Sequence, residues 1–297
     1  MKSPTNNYLV LFISWIVFFS SGCADHLFYR PNKIVYTTPE QHQLKYEEVY
    51  FNSKDGTRLY GWFIPAVDKA VGTVIFFYGN FGNLTYAFDQ IKWLPEEGFN
   101  VFTFDYRGYG KSDGKPCRRG IIDDSTAAIN YLRTKPGIEK NSVYVFAQSL
   151  GGANAVAAIA LNDFKDIQTI ALEGTFCSYR EEARDMMESR TREKVGNIPF
   201  LSLQVWLVSY FAVTNTFSPQ KLIGRLSPTP ILLVHGTSDQ YVLYHHSNCL
   251  YNHANKPKYR LTIPDGQHLK TFKDNQCAYQ YRKELIRFFK TRVFVVE

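Results

Sequence analysis

Three residue types that cooperate in nucleophilic catalysis occur in this chain in the order serine, aspartate, histidine. Ser149 stands in the run Val-Phe-Ala-Gln-Ser-Leu-Gly-Gly, between an apolar segment and an alanine-rich one. Asp239 and His268 each come shortly after a further predicted strand. A serine hydroxyl is a weak nucleophile at neutral pH, so it needs a base such as histidine, which an acid then orients. The order indicates attack on a carbonyl by Ser149, with His268 as base and Asp239 as acid.

The residues around Ser149 suit a sharp turn from a strand into a helix. Its neighbours Ala147, Gly151 and Gly152 are small, as the close backbone approach at such a turn requires. The helix that follows has free N–H groups in its first turn, and these stabilise negative charge. We therefore expect the backbone N–H of Leu150 to donate to an oxyanion formed on the substrate.

These motifs resemble those of the α/β-hydrolase superfamily, in particular its single-domain esterase and aminopeptidase-like branch. The usual elbow reads Gly-x-Ser-x-Gly, and Ala147 stands here in place of the first glycine. The superfamily orders its triad as nucleophile, acid and histidine, which matches Ser149, Asp239 and His268. The likeness spans about residues 45–292. It implies a serine hydrolase that uses neither a cofactor nor a metal.

A second oxyanion donor is implied by the loop at residues 78–83. This loop reads Tyr-Gly-Asn-Phe-Gly-Asn and resembles the family's His-Gly-Asn-x-Gly-Asn, with Tyr78 in place of the histidine. The family uses a backbone N–H of this loop as donor, which points to Asn80. Losing one such donor costs about 10²–10³ in rate in comparable sites. The run DYRGYGKSDG at 105–114 also matches the family and is expected to support the floor of the site.

Alternating strands and helices must position these residues. Continuous apolar runs predict buried strands, and amphipathic or alanine-rich runs predict helices. Their alternation predicts an α/β fold with a mostly parallel, doubly wound sheet. The turn Lys54-Asp55-Gly56 adds an N-terminal antiparallel hairpin at one edge. The predicted strands are 47–52, 58–65, 73–78, 100–105, 142–147, 167–173, 230–235 and 259–263, and the predicted helices are 84–97, 121–135, 150–161 and 275–292.

The interval between Glu173 and Pro230 is too long for an ordinary connection. It predicts a helical cap insertion over about residues 177–229. Its apolar stripe is expected to pack within the cap, with the lining of an acyl pocket as the alternative. A membrane-spanning segment is disfavoured because the stretch is short. The stripe comprises Leu203, Val205, Trp206, Tyr210 and Phe211.

The N-terminus carries an export pattern. Lys2 precedes an apolar run at residues 8–19, which is followed by Ser20-Ser21-Gly22-Cys23. The run is too short to span a bilayer and is typical of a secretory signal. The cysteine after small residues resembles the lipobox of bacterial lipoproteins, although Ser20 stands where that family prefers leucine. We expect a signal peptide at 1–22, a lipidated Cys23 with a tether over 23–45, and a hydrolase domain over 46–297.

This pattern also predicts where the protein is found. An exported lipoprotein would be anchored in a membrane and face the periplasm or the cell exterior, and plain secretion is the alternative. The net charge is +7, but the basic residues are scattered without a block of five or six like charges. Direct binding to nucleic acid is therefore not expected. The expected partners are a membrane and a small-molecule ester or acyl substrate.

The remaining cysteines and histidines give weaker indications. Apart from Cys23, four cysteines allow three pairings, and one of these joins Cys249 to Cys277, with free buried thiols as the alternative. Adjacent side chains on a helix point in different directions, so His245 and His246 are not expected to form a metal site. His235 is expected to brace its loop. The other two cysteines are Cys117 and Cys177.

Three functions fit these residues. The first is cleavage of carboxylic esters or thioesters, with lysophospholipids or other acyl lipids as possible substrates. The second is a serine aminopeptidase with the same triad, which would need an acidic group for the substrate amine, and Glu173 or the pair Glu181-Glu182 could supply it. The third is a membrane-anchored binding protein that kept the fold without turnover, which is suggested only by the substitution at Tyr78.

Overall fold

Strands and helices alternate along most of the chain, as the apolar runs predict. The computed structural model describes residues 25–139, 141–196, 201–269 and 275–294. The strands in these ranges are β1 (Arg30–Pro31), β2 (Glu47–Asn52), β3 (Arg58–Ile64), β4 (Gly72–Phe77), β5 (Phe81–Gly82), β6 (Phe99–Asp105), β7 (Val143–Gln148), β8 (Ile167–Glu173), β9 (Ile231–Gly236) and β10 (Lys258–Ile263). The helices are α1 (Asp25–Phe28), α2 (Leu84–Ala87), α3 (Arg118–Thr134), α4 (Leu150–Asn162), α5 (Tyr179–Val195), α6 (Leu201–Ala212), α7 (Pro219–Leu222), α8 (His245–His253) and α9 (Asn275–Thr291).

Eight of the strands form one twisted sheet in the order β10-β9-β8-β7-β4-β6-β3-β2. The strands from β10 to β6 pair in parallel, whereas β6 with β3 and β3 with β2 are antiparallel. This arrangement confirms the predicted α/β fold, with a mostly parallel sheet and an N-terminal hairpin at one edge. Every residue of β4, β7 and β9 is buried, which explains their unbroken apolar runs.

The carboxyl ends of the parallel strands lie at one edge of the sheet. There β7 ends at Gln148, β8 at Glu173, β9 at Gly236 and β10 at Ile263. The chain leaves each strand at this edge, so the loops that follow can bring distant residues together. This edge carries the candidate site.

Helical elements fill the long interval between β8 and β9, as predicted for a cap insertion. They are α5, α6, α7 and a short 3₁₀ turn at Ile223–Leu226. No helix in the described part of the chain is long and apolar enough to cross a membrane. The predicted helix at 84–97 is wrong beyond its first turns, because α2 ends at Ala87 and a 3₁₀ turn (Phe88–Gln90) follows.

The segment predicted to be a tether is joined to the domain by buried side chains and by backbone bonds. Phe28 and Tyr29 are buried, and Arg30–Pro31 pairs in parallel with Phe81–Gly82. The prediction of a tether over 23–45 is therefore wrong from Asp25 onward. The segment lacks sequence periodicity because its backbone bonds join it to the loops at residues 80–82 and at Gly110 rather than to a regular sheet face. The signal peptide predicted at 1–22 and the lipidation predicted at Cys23 lie outside the described residues.

Candidate active site

Ser149 occupies the sharp turn between β7 and α4. Its backbone angles are φ 53° and ψ −123°, a combination that residues other than glycine rarely adopt. The Ser149 N–H donates to the carbonyl oxygen of Glu173 at 2.8 Å, and this bond to the neighbouring strand holds the turn. Strain of this kind, maintained by surrounding bonds, is typical of a nucleophile displayed at the end of a strand.

Glycine is required after Ser149 because α4 begins against the loop that follows β4. A methyl group on Gly151 would lie 2.2 Å from the Phe77 carbonyl oxygen and 2.3 Å from the Tyr78 carbonyl oxygen. A methyl group on Gly79 would lie 3.4 Å from Ser149 Cβ, which is an ordinary contact. The loop that contains Gly79 therefore lies beside the serine.

Replacing Gly151 by alanine is expected to destabilise the fold by about 3 kcal/mol, because the new methyl group would overlap two backbone carbonyls. The melting temperature should fall by roughly 5–10 °C in a chain of this size. Gly79→Ala is the matched control, and we expect it to cost less than about 1 kcal/mol because its methyl group meets only ordinary contacts. Calorimetry measures both. Equal melting temperatures for the two variants would contradict the close approach at Gly151.

Asp239 and His268 are joined by a hydrogen bond. His268 Nδ1 lies 2.7 Å from Asp239 Oδ2, and Asp239 Oδ1 accepts from the N–H groups of Tyr241 and Val242 at 2.9 Å each. The Asp239 side chain is 1% exposed, so these bonds hold its carboxylate in one orientation. The carboxylate keeps the proton of His268 on Nδ1 and leaves Nε2 available as a base. His235 donates from Nε2 to the Val242 carbonyl at 2.8 Å and so braces this loop.

Backbone bonds tie the loop after β9 to the loop after β10. The N–H of Thr237 donates to the Ile263 carbonyl, and the N–H of Ser238 donates to the Gly266 carbonyl, both at 3.0 Å. Asp265, the other acid near His268, has an exposed side chain, and its N–H donates to the Thr237 hydroxyl at 2.8 Å. Asp265 therefore shapes the turn, and the imidazole bonds to Asp239 instead.

The turn after β8 brings Ser149 and His268 to the same place. Glu173 accepts the Ser149 N–H, and a methyl group on the adjacent Gly174 would lie 3.2 Å from both Cε1 and Nδ1 of His268. All three residues predicted to form a triad thus lie at the carboxyl edge of the sheet, where Asp239 is bonded to His268. Leu150, the predicted first oxyanion donor, is the first residue of α4.

Tyrosine hydroxyls hold the loop that contains Asn80, the predicted second donor. Tyr109 donates to the Asn80 carbonyl at 3.0 Å, and Tyr106 donates to the Tyr78 carbonyl at 3.1 Å. The Tyr78 hydroxyl donates to Asp105 Oδ1 at 3.1 Å. The tyrosine that replaces the family's histidine therefore still braces this loop from below.

Asp105 connects this loop to the run at 105–114. Its buried carboxylate also accepts from the N–H groups of Leu84 at 2.7 Å and Lys111 at 3.1 Å. Burial raises the pKa of Asp105 to about 6, although these donors and Tyr78 act in the opposite direction. The contacts match the supporting role that the family resemblance implies for this run.

The N-terminal segment also supports the loop, and sequence reasoning missed it. Arg30 N–H donates to the Asn80 carbonyl at 3.0 Å. The Asn83 side-chain amide donates to the carbonyls of Asn32 at 3.2 Å and Ile34 at 2.8 Å. These partners lie about fifty residues apart in the chain, and no local pattern marks them. The only hint was the capacity of Asn83 to form several hydrogen bonds.

Glu173, one predicted anchor for a substrate amine, is bonded within the protein. It is 3% exposed and accepts from Gln148 Nε2 at 2.8 Å and from the Tyr281 hydroxyl at 3.2 Å. Glu182 is also buried, and its Oε2 lies 3.3 Å from His246 Nε2. Burial raises the pKa of Glu182, whereas the imidazoles of His246 and His268 lower it. Glu182 therefore contacts His246, and Glu173 contributes to the frame of the candidate site.

His245 and His246 face the same carboxylate, although adjacency predicts that they point in different directions. Their Nε2 atoms lie 2.6 Å and 3.3 Å from Asp185 Oδ2, and their rings are 4.2 Å apart. Both begin α8, and Asp185 reaches them from α5. The Cys177 N–H donates to His246 Nδ1 at 3.2 Å, which assigns the ring proton to Nε2. His246 therefore bridges the loop after β8 and the cap.

A disulfide joins Cys177 to Cys249, which excludes the pairing of Cys249 with Cys277 that the sequence left open. Cys177 follows β8 and Cys249 lies in α8, which follows the neighbouring strand β9. Their Cα atoms are 6.0 Å apart because adjacent strands bring the two segments together. Cys117 is an exposed free thiol.

Comparison with known proteins places these features in a family. Residues 68–225, just over half of the 297 residues, match the family model described as serine aminopeptidase, S33. The Escherichia coli protein designated uncharacterized protein YfhR is 35% identical over 291 residues, which cover 97% of this chain and 94% of that protein. The alpha/beta hydrolase domain-containing protein WAV2 of Arabidopsis thaliana is 30% identical over 249 residues, 79% of this chain and 76% of that protein.

Solved structures share the fold. An esterase of Pyrococcus furiosus aligns with a TM-score of 0.71 at 22% identity, covering 90% of this chain and 99% of that one. An acetyl xylan esterase of Thermoanaerobacterium aligns with a TM-score of 0.61 at 16% identity, covering 94% of each chain. At these identities the likeness concerns the architecture alone.

Proposed function

Because this chain belongs to the S33 serine aminopeptidase family of α/β hydrolases, we propose that it is a serine hydrolase that cleaves carboxylic esters or thioesters. Ser149 is the proposed nucleophile, His268 the base and Asp239 the acid. The observation that carries the proposal is the 2.7 Å bond from His268 to Asp239 beside a strained Ser149. Lysophospholipids and other acyl lipids are the substrate classes that we favour.

The proposed reaction follows from the protons available at the site. His268 Nε2 takes the Ser149 hydroxyl proton while Oγ attacks the carbonyl carbon of the ester. The carbonyl oxygen becomes an oxyanion, which accepts from the backbone N–H groups of Leu150 and Asn80. The bond to the leaving group then breaks, and His268 returns the proton to the departing alkoxide or thiolate. Water repeats these steps on the acyl-enzyme and releases the acid.

A substrate panel tests the proposal. We expect p-nitrophenyl esters to be hydrolysed by the wild type and not by Ser149→Ala, and aminoacyl anilides to be hydrolysed poorly. Hydrolysis of anilides in preference to esters would assign a peptidase instead. Absence of turnover for both classes by folded wild-type protein would favour a binding protein on the same fold.

A second candidate, an aminopeptidase, is favoured by one observation. Glu182 Oε2 is buried, and its neighbouring donor among the described residues, His246 Nε2 at 3.3 Å, lies equally far from Asp185 Oδ2. A substrate ammonium group would satisfy that oxygen. Under this alternative, Glu182→Gln raises KM for aminoacyl anilides and leaves neutral p-nitrophenyl esters unaffected. An equal effect on both substrate classes would exclude Glu182 as an amine anchor.

We also propose that the protein is exported and held at a membrane by lipid on Cys23. The support is the short apolar run at 8–19 and the small residues before the cysteine. Mass spectrometry of the mature N-terminus tests this. We expect a chain that begins at Cys23 with a mass increase for acyl groups, and an unmodified chain that begins elsewhere would contradict lipidation.

A further inference from the structure

One face of α6 is apolar and exposed to solvent. Its side chains are 55% exposed at Leu203, 45% at Trp206, 47% at Tyr210 and 76% at Phe211. The spacing places them along one side of three helical turns, and Trp206 stacks on Tyr210 with ring centroids 5.4 Å apart. The stripe was predicted to pack within the cap or to line an acyl pocket. Among its members only Val205 is buried, so the exposed face neither packs within the cap nor lines a buried acyl pocket.

The opposite side of α6 packs against the rest of the cap. Leu201, Val205 and Val208 are buried, and the helix contains no charged residue. A helix of 12 residues is about 18 Å long, well short of a bilayer core of about 30 Å. An exposed patch of tryptophan, tyrosine, phenylalanine and leucine on a short helix matches an element that lies in a membrane interface rather than across the membrane.

The N-terminal segment begins on the same side of the protein as α6. Phe28 at the end of α1 packs edge-on against Tyr179 at 5.2 Å between ring centroids, at the start of α5. The Arg118 guanidinium lies 3.9 Å from the Tyr179 ring centroid and donates to the Thr214 carbonyl at 2.8 Å, just beyond α6. Arg180 lies over the Tyr210 ring at 4.4 Å. Contacts therefore run continuously from α1 to the exposed face of α6.

The number of residues between Cys23 and α1 limits how far a lipid anchor on Cys23 can lie from the domain. Cys23 precedes Asp25, the first residue of α1, by two residues, which span at most about 7 Å when extended. Acyl chains on Cys23 would therefore bring the bilayer surface next to α1. In the described part of the chain, Phe28 and Tyr29 are buried and Arg30–Pro31 pairs with Phe81–Gly82, so this end of the segment is fixed to the domain.

We propose that the exposed face of α6 (Leu203, Trp206, Tyr210 and Phe211) inserts into the headgroup region of the membrane, an inference that rests on the membrane location proposed above. The partner is the lipid bilayer itself. The cap follows β8 at the carboxyl edge of the sheet, so this orientation would turn that edge, where Ser149 lies, toward the bilayer. Acyl-lipid substrates would then reach Ser149 from the membrane without passing through water.

Photo-crosslinking tests the contact without depending on activity. The full chain, with Phe211 replaced by p-benzoylphenylalanine, is reconstituted in vesicles of phosphatidylethanolamine and phosphatidylglycerol and irradiated. The matched control carries the same group at Val67, which is 60% exposed and follows β3 near the amino ends of the parallel strands. We expect mass spectrometry to find lipid adducts at 211 and not at 67. Adducts at 211 to residues 1–24 or to a second copy of the chain, or equal lipid labelling at both positions, would overturn the proposal.

A pair of charge substitutions tests the consequence for substrates. Leu203→Glu combined with Phe211→Glu is expected to lower turnover of an ester embedded in vesicles at least about tenfold, because two apolar anchors are lost. Hydrolysis of soluble p-nitrophenyl acetate should not change, and Val67→Glu should affect neither substrate. If the soluble ester is not hydrolysed by the wild type, the proposed hydrolase function fails while the crosslink still decides the contact. Equal turnover of the embedded ester by the wild type and the double variant would overturn the role of α6.

Discussion

Ser149→Ala is expected to lower kcat for a p-nitrophenyl ester about a million-fold, the scale seen when a serine hydrolase loses its nucleophile. The alanine side chain cannot form an acyl-enzyme, while the proposed oxyanion donors Leu150 and Asn80 stay in place. Residual catalysis over water should therefore remain. Initial rates measured with high enzyme concentration can cover this range.

Stability measurements separate the loss of chemistry from a loss of fold. Alanine keeps a Cβ at φ 53°, so the melting temperature of Ser149→Ala should stay close to that of the wild type. Glycine at the same position releases the strain and should stabilise the fold by about 1–3 kcal/mol. Retention of most ester hydrolysis by folded Ser149→Ala would remove Ser149 from the proposed mechanism.

Asp239→Asn is expected to lower kcat about ten-thousand-fold at neutral pH, by analogy with the loss of the acid in other triads. The amide oxygen can still accept from Tyr241 and Val242, so the loop should keep its shape. The amide nitrogen would then face His268 Nδ1 and favour the tautomer with its proton on Nε2. That tautomer cannot accept the Ser149 proton.

Asp265→Asn is the matched control for this substitution. Asp265 is exposed, has a φ of 54° that asparagine tolerates well, and contributes its backbone N–H to the Thr237 hydroxyl. We expect its kcat to stay within about twofold of the wild-type value, as for most surface substitutions. Comparable losses of kcat in both variants would mean that Asp239 does not orient the His268 imidazole through their 2.7 Å bond.

The parallel sheet could be predicted because each of its strands leaves a local signature. Strands buried on both faces read as continuous apolar runs, and Ser149 and Asp239 each follow one, whereas His268 follows the half-buried edge strand β10. Because each of these residues follows the carboxyl end of a parallel strand, all three are predicted to lie at the same edge of the sheet. The hairpin was visible for the same reason, since Asp55-Gly56 marks a tight turn.

Other features depend on partners that are distant in sequence. Arg30 pairs with a loop fifty residues away, and Cys177 meets Cys249 because two neighbouring strands bring them together. The shared contact of His245 and His246 depends on Asp185 of another helix. The stripe on α6 looked like core because composition alone does not say which side of a helix is covered. All four features therefore depend on tertiary contacts, which a local sequence pattern does not show.

Covalent labelling by a fluorophosphonate tests the central claim most directly. The wild-type chain should take up one equivalent of probe on Ser149 Oγ, with loss of ester hydrolysis in proportion to labelling, and peptide mass spectrometry should locate the adduct at residue 149. Ser149→Ala should remain unlabelled. A folded wild-type protein that stays unlabelled, or one labelled elsewhere with Ser149 untouched, would contradict a serine hydrolase built on this residue.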